Sequence, residues 1–432
     1  MADTAARALD GPGPAGGAPA LGGASQVVLR PLSITAGDDG SFLVGDLARG
    51  EFIQVPAIAV TVINALRSGR TVAAAAAETQ RETGQEVDVA EFVATLTDCG
   101  FVASVDGVPL QSDGPELTDG GQLGATLARL ARPLYSAPAW AVYGVLFCCC
   151  LVLLTAVPWF RPHYGQLFFL PGPVLSIVLL TVITAPIAML HELAHWLGAR
   201  LEGVPARITL SRRYYLLVFQ TDLSALWAVP RRRRFGPLLA GMAFDVVVIA
   251  ALLGVRATQF LGWWHPQPTL ARLLAGLVTA LAATFSLQFV VFLRTDIYAV
   301  LITGLGCVNL TRISRLRLAR AYRRLTAAEE REYAHASPRD RDTSRWYCWV
   351  QLGGAVIVAG NFAMFFLPSL VHTVGWIGDG LTRNSPVTAE FWYVVGSSAV
   401  AFSVMAIPPF TYLRDRVRRG RGQPAPPTGS AP

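Results

Sequence analysis

Residues 174–195 read VLSIVLLTVITAPIAMLHELAH. From Val174 to Leu190 the run contains no charged residue, and roughly 20 apolar residues suffice to cross the hydrocarbon of a bilayer. It then ends on two histidines and a glutamate. Ionisable groups at membrane depth are expensive to hold there and mark functional sites by default. On a helix His191 and His195 stand at i and i+4, on one face, so both imidazoles reach a single ion. Glu192 follows directly after the first of them, within reach of a water beside that ion. The spacing is that of HExxH, in which two neutral imidazoles hold Zn²⁺ and the carboxylate takes a proton from the water. Zinc brings that water's pKa from about 15.7 towards about 7, so hydroxide is available at neutral pH.

A catalytic zinc takes a third protein ligand and keeps one position open. Two more acids lie at membrane depth, Asp245 and Asp296. Asp296 is expected at the end of a later apolar segment, at a depth similar to that of the histidines. That makes it the candidate third ligand; the alternative is an ion pair with Arg294 at the interface. Asp245 is placed to hold a ligating histidine in orientation, or else to cap a helix contact. His163, His265 and His372 fall on the opposite side of the expected membrane and His335 lies in a charged stretch, so none is placed to ligate.

Working outward, six segments are apolar enough to span, at approximately 138–157, 170–193, 236–255, 270–294, 346–370 and 389–413. The 432 residues are 53% hydrophobic and only 15% charged, with mean hydropathy +0.43. Soluble chains are usually about 25% charged, which argues against a simple soluble enzyme. The net charge of +7 is unevenly spread. Residues 1–133 hold 16 acids against 8 arginines, and residues 134–432 hold 28 arginines against 13 acids. The arginines gather in 129–132, 200–234, 312–345 and 414–421, while the alternate connections at 158–169, 256–269 and 371–388 carry few. The positive-inside rule therefore predicts six spans with both termini cytoplasmic. It accounts for the basic charge without nucleic acid as a partner; the partner of this surface is the lipid bilayer. Trp263, Trp264, Trp376 and Trp392 sit where interfacial aromatics belong. The six cysteines form no CxxC, and Cys148–Cys150 read as small hydrophobes within a span. Residues 205–229 are β-prone and only partly apolar, which predicts a small sheet or hairpin near the membrane face.

Before the spans the pattern changes. Residues 1–25 are rich in Ala, Gly and Pro and predict a disordered tail. Val27–Arg30, Phe42–Asp46 and Glu51–Val55 are short β-prone runs, with Asp38-Asp39-Gly40 as a turn signal. Three helical patterns follow at Ala57–Leu66, from the N-cap Thr71 to Thr83 with Gly84 as its stop, and at Val89–Thr97 ended by Cys99-Gly100. Three strands followed by three helices suggest a small winged-helix-like α+β domain over 26–105. A Gly-, Asp- and Pro-rich linker runs from 106 to 137.

The stretches FLVGDLARGEFIQV, GRTVAAAAAETQRETG and VDVAEFVATLTDCGFV resemble PqqD-type domains, which recognise the leader peptides of ribosomally made, modified peptides. The resemblance implies that a peptide adds a strand beside the third strand, against the third helix. It places that peptide near Phe52, Ile53, Phe92 and Leu96; the other reading makes these residues the domain's core. The stretches HELAHWLGARLEGV, TDLSALWAVPRRRRFGPLLAGMAFD and LRTDIYAVLITGLGCVNL resemble the peptide zinc metalloproteases of the site-2-protease class of bacterial cytoplasmic-membrane proteins. That likeness spans about 170–310. It implies His191, His195 and Asp296 as zinc ligands and Glu192 as general base. Ile297 follows Asp296 where that class usually has Gly, and Arg294-Thr295 precede it where that class often has Asn-Pro.

The expected architecture is mostly α: a polytopic six-helix membrane protein with a small cytoplasmic α+β domain and a short β-hairpin insert. Its units are a tail (1–25), a peptide-binding domain (26–105), a linker (106–137), a zinc metalloprotease core (138–310), an Arg-rich cytoplasmic loop (311–345), two further spans (346–413) and a cytoplasmic tail (414–432). The expected function is hydrolysis of a peptide bond near the cytoplasmic face, in a peptide or membrane-protein substrate such as a ribosomally made precursor. The alternative is a non-catalytic peptide-binding partner in export or maturation, with a vestigial or structural metal site. Glu192 separates the two, because ligation needs the histidines but only hydrolysis needs the glutamate. A metal transporter would need polar groups along a complete path, and the last two segments offer chiefly Asn361.

Overall fold

The computed structural model describes residues 21–36, 41–47, 49–110, 121–213, 216–291, 295–307, 310–400 and 402–403. Most of the expected tail lies outside these residues, but its end is ordered. Ser25 is buried, and its carbonyl accepts from the amide of Val72 at 3.1 Å.

The N-terminal region contains two small sheets. Val27–Leu29 (β1) pairs antiparallel with Val102–Val105 (β5), which pairs in turn with Val108–Pro109 (β6). Asp106 (φ 50°) and Gly107 (φ 78°) between β5 and β6 both adopt the left-handed conformation that a two-residue hairpin turn requires. The second sheet has the order Leu32–Ala36 (β2), Ser41–Asp46 (β3), Glu51–Pro56 (β4). The expected first strand therefore does not join the other two; it pairs with a strand far along the chain. β2 fills the place it was expected to take.

Three helices follow the second sheet: Ala57–Arg67 (α1), Val72–Thr83 (α2) and Val89–Asp98 (α3). Thr71 caps α2 by accepting from Ala74, and Gly84 closes it at φ 71°. Asp88 caps α3 in the same way by accepting from Glu91. Val44, Val62, Ile63, Ala75, Val93, Leu96 and Phe101 are fully enclosed between sheets and helices. Of the four expected peptide contacts, Ile53 and Leu96 belong to this core. In this structure both are buried among core side chains. Phe52 and Phe92 are half-buried, and the Phe52 ring lies across Gly45 on β3, where a methyl group would collide with it.

Residues 121–131 of the expected linker form a helix, Gly121–Ala131 (α4). The membrane body follows: Ala137–Ala156 (α5), Pro173–Leu201 (α6), the hairpin Arg207–Arg213 (β7) with Leu216–Asp222 (β8), Arg231–Phe260 (α7) and Pro268–Leu287 (α8). These four helices match the first four expected spans, and the hairpin stands where expected. Large apolar side chains face outward along them, including Val142, Val145, Val152 and Val182, as on a lipid-facing surface. With the helix beginning at Pro338, five helices among the described residues are long and apolar enough to cross a membrane.

Three boundaries differ from expectation. The fourth segment does not continue to 294: α8 stops at Leu287, and Asp296 opens a separate helix, Asp296–Leu305 (α9). That helix and Leu310–Tyr322 (α10) meet at 88°. The Arg-rich loop is instead helical. It consists of α10, Ala327–His335 (α11) and the start of Pro338–Asn361 (α12). α11 carries a capping box in which the Thr326 hydroxyl accepts from Glu329 and the Glu329 carboxylate accepts from Thr326. The Arg323 guanidinium and the Thr326 amide hold the Glu329 carboxyl down to about 2. Finally, the fifth segment runs on through a π-helical turn at Phe362–Phe366 into Leu367–Arg383 (α13). This rod of 46 residues is about 69 Å long at about 1.5 Å per residue, about twice the hydrocarbon thickness. Helical structure resumes from 389 to 400, and most of the remainder of the expected sixth segment lies outside the described residues.

Because Leu96 has no exposed surface, Leu96→Ala is expected to destabilise the N-terminal region by about 2–5 kcal/mol. Amide exchange in the full chain should rise across α1–α3 and stay unchanged in α6 and α7. An unchanged α1–α3 would place Leu96 on a surface.

Candidate metal centre

The site is built where α6 crosses α7. Gly198, seven residues after His191, lies at the crossing. A Cβ there would stand 2.8 Å from Cα of Pro237 on α7 and 3.0 Å from the Tyr135 ring. On α7, Pro237, Gly241 and Asp245 recur every fourth residue and so share one face. Each serves the histidines. Nδ1 of His195 donates to the Pro237 carbonyl at 2.8 Å, and Nδ1 of His191 donates to Asp245 Oδ2 at 2.9 Å. Between them Gly241 leaves room: a Cβ at this position would fall on the Nε2 atoms of both histidines. The Tyr135 hydroxyl, from the turn before α5, donates to the carbonyl of Ala194 at 2.5 Å and ties the same stretch of α6 to its other neighbour.

With both Nδ1 atoms facing acceptors, each ring carries its proton there and presents a lone pair at Nε2. The two Nε2 atoms are 3.2 Å apart, and Asp296 Oδ2 lies 3.1 Å from His191 Nε2 and 3.2 Å from His195 Nε2. His191 is 7% exposed and His195 2%. Two lone pairs and a carboxylate oxygen thus converge, with both imidazoles buried and Asp296 partly exposed, an arrangement that can take a cation among them. In a tetrahedral site with bonds of about 2.0–2.1 Å, neighbouring donor atoms stand about 3.3 Å apart. The three residues fit such an ion and can hold a metal.

Asp296 reaches this point from the first turn of α9. The backbone breaks out of helix after α8. There the Thr295 hydroxyl donates to the Gln288 carbonyl at 2.5 Å, and the Asp296 amide donates to Gln288 Oε1 at 3.4 Å. At the far end of α9, Nε of Arg231 donates to the Thr303 carbonyl at 2.6 Å. Arg294, the alternative partner of Asp296, lies outside the described residues. None of His163, His265, His335 or His372 joins the group; His335 donates to the Arg331 carbonyl and His372 packs against Phe168.

Glu192 faces the hairpin. Its Oε2 accepts from the amide of Thr221 on β8 at 2.7 Å, and its backbone carbonyl accepts from the Thr221 hydroxyl at 2.9 Å. The sequence reading brings His191, His195, Asp296 and Asp245 together correctly. It misses Gly241, Pro237, Gly198 and Thr221. The four-residue repeat of Pro237, Gly241 and Asp245 is a signal that could have found the first two.

No protein family, characterised protein or solved structure matches this chain. The geometry therefore carries the functional reading by itself.

Two outcomes follow for metal content. Gly241→Ala is expected to reduce bound metal from about one per chain to near zero while the helices persist by circular dichroism. Asp245→Asn keeps the shape but weakens the acceptor for His191, and metal affinity should fall about 10–100-fold by competition with a chelator. Full metal content in Gly241→Ala would mean that the ion does not sit between the two imidazoles.

Proposed function

We propose that the chain is a membrane-embedded zinc metallopeptidase that hydrolyses a peptide bond near the cytoplasmic face of the membrane. The observation that carries this reading is the convergence of His191 Nε2, His195 Nε2 and Asp296 Oδ2, directly beside a glutamate in HExxH register. Two imidazoles and one carboxylate with an open fourth position are the donor set of a hydrolytic zinc rather than a structural one. Zinc held there supplies the Lewis acidity that polarises a scissile carbonyl and makes water nucleophilic.

The chain's own residues supply the rest. Glu192 takes a proton from the attacking water and returns it to the leaving nitrogen. Asp245 and the Pro237 carbonyl fix both rings in the tautomer that leaves Nε2 free. The arginine distribution supports an orientation in which both termini and the hairpin are cytoplasmic.

The winged-helix-like N-terminal region is assigned to peptide recruitment. β4 is an outer strand of its sheet, and an outer strand can pair with an extended peptide through its free main-chain groups. A ribosomally made precursor whose mature part meets the membrane is the substrate class that suits both halves, with an export partner acting after cleavage.

The test uses purified full chain, a precursor peptide encoded beside it and three proteins. Wild type should hold about one zinc and cleave. Glu192→Gln should keep zinc and lose cleavage, and His195→Ala should lose both. If Glu192→Gln processes the peptide like wild type, hydrolysis is wrong and a peptide-binding export or maturation role takes its place.

A further inference from the structure

Thr221 is the residue that meets Glu192, and it does so twice. The amide donates to the carboxylate at 2.7 Å and the hydroxyl to the Glu192 carbonyl at 2.9 Å. Thr221 is itself buried. Among the described residues no other group hydrogen-bonds that carboxylate, so Oε1 remains for a reacting water. The clamp is continuous with a hydrogen-bonded connection. Asp222 Oδ1 accepts from the amide of Ser224 at 2.9 Å and from its hydroxyl, which opens the 3₁₀ turn Ser224–Ala228. Arg234 closes that turn, donating to the Trp227 carbonyl at 2.9 Å and the Val229 carbonyl at 2.6 Å while stacking on the Trp227 ring.

The same turn is where the N-terminal region touches the membrane body. The sheet of β2, β3 and β4 rests against it, and the Thr35 hydroxyl donates to the Ala228 carbonyl at 3.1 Å. Leu47, just after β3, packs into one apolar cluster with Leu226 of the turn, Trp196 of α6, Leu238 of α7 and Val300 of α9. That cluster joins the turn to all three helices that carry the metal centre.

We propose that Thr221 is the positioning residue for Glu192, and that the N-terminal region braces it through the Ser224–Ala228 turn, so that this region tunes turnover and not only peptide capture. This rests on the metallopeptidase reading for its catalytic consequence, but the clamp itself is a structural statement. A carboxylate on a flexible arm is a poor base unless it is held, because misplacement by about 1 Å costs on the order of 100-fold in rate. A merely structural Thr221 would change stability and metal content together; a positioning Thr221 changes kcat with zinc content and KM unaltered.

The experiment has two readouts on the full chain. The first is amide exchange over 216–222. It should rise in Glu192→Ala, which removes the acceptor, and in Thr35→Val, which removes the hydrogen bond from β2 to the Ala228 carbonyl of the turn. Unchanged exchange in both variants overturns the proposal. The second is cleavage of the precursor peptide. Thr221→Ser should match wild type and Thr221→Val should lose part of kcat. Thr221→Pro, which lacks the amide hydrogen, should lose about 10-fold or more, and Thr35→Val should lower kcat at constant KM. A change in KM alone for Thr35→Val would make the N-terminal region a recruiter only and contradict the brace. If Thr221→Pro does not fold, Thr221→Val and Thr35→Val decide the matter. If wild type cleaves nothing while exchange responds as stated, the clamp stands and the peptidase reading fails.

Discussion

The site depends on how closely α6 and α7 approach each other. Two positions without side chains permit it: Gly198 against Pro237, and Gly241 against both imidazoles. Interfaces between membrane helices are enriched in small residues because apolar burial gains little in lipid, so close backbone packing must supply the attraction. Here the same economy of side chain also leaves space beside the two imidazoles. Any larger residue at 241 would occupy the space between the histidines, and any larger residue at 198 would push α7, with its two hydrogen-bond acceptors, away from them.

Around this crossing, the ionisable groups of the site are matched to one another or to the backbone. His191 is held by Asp245, His195 by the Pro237 carbonyl, and Asp296 closes the remaining side. Buried polar groups without partners cost about 1–3 kcal/mol each, so such an arrangement persists only if complete. The ends of α9 are secured as well, by Gln288 near Asp296 and by Arg231 at the C-terminal carbonyls. This short helix, which carries Asp296 in its first turn, is thereby tied to its surroundings at both ends.

The histidine pair was fully legible in the sequence, because i, i+4 spacing on an apolar helix leaves little choice of geometry. Asp296 was legible as a neighbour of the two histidines but not as the start of a helix. The apolar pattern runs through Phe289, Val290 and Val291 without Gly or Pro, so hydropathy cannot see the break that the Gln288–Thr295 contacts make. The pairing of β1 with β5 escaped for a different reason. It joins residues more than 70 positions apart through strands of only three and four residues, too short for a period of two to declare itself. Leu96 and Ile53 show the limit of inference from likeness: a ridge that could meet a peptide and a ridge that fills a core have the same composition. The amide of Thr221 had no signal at all, since every residue but proline has one.

The central claim is that His191, His195 and Asp296 hold one zinc ion. X-ray absorption at the zinc edge, on full chain purified without added metal, tests it most directly. The account requires two imidazole nitrogens and oxygen donors at about 2.0–2.1 Å in fourfold coordination, with zinc lost in His195→Ala or any that remains holding at most one imidazole. A shell of sulfur at about 2.3 Å, or two imidazole ligands that survive the loss of His195, would contradict it.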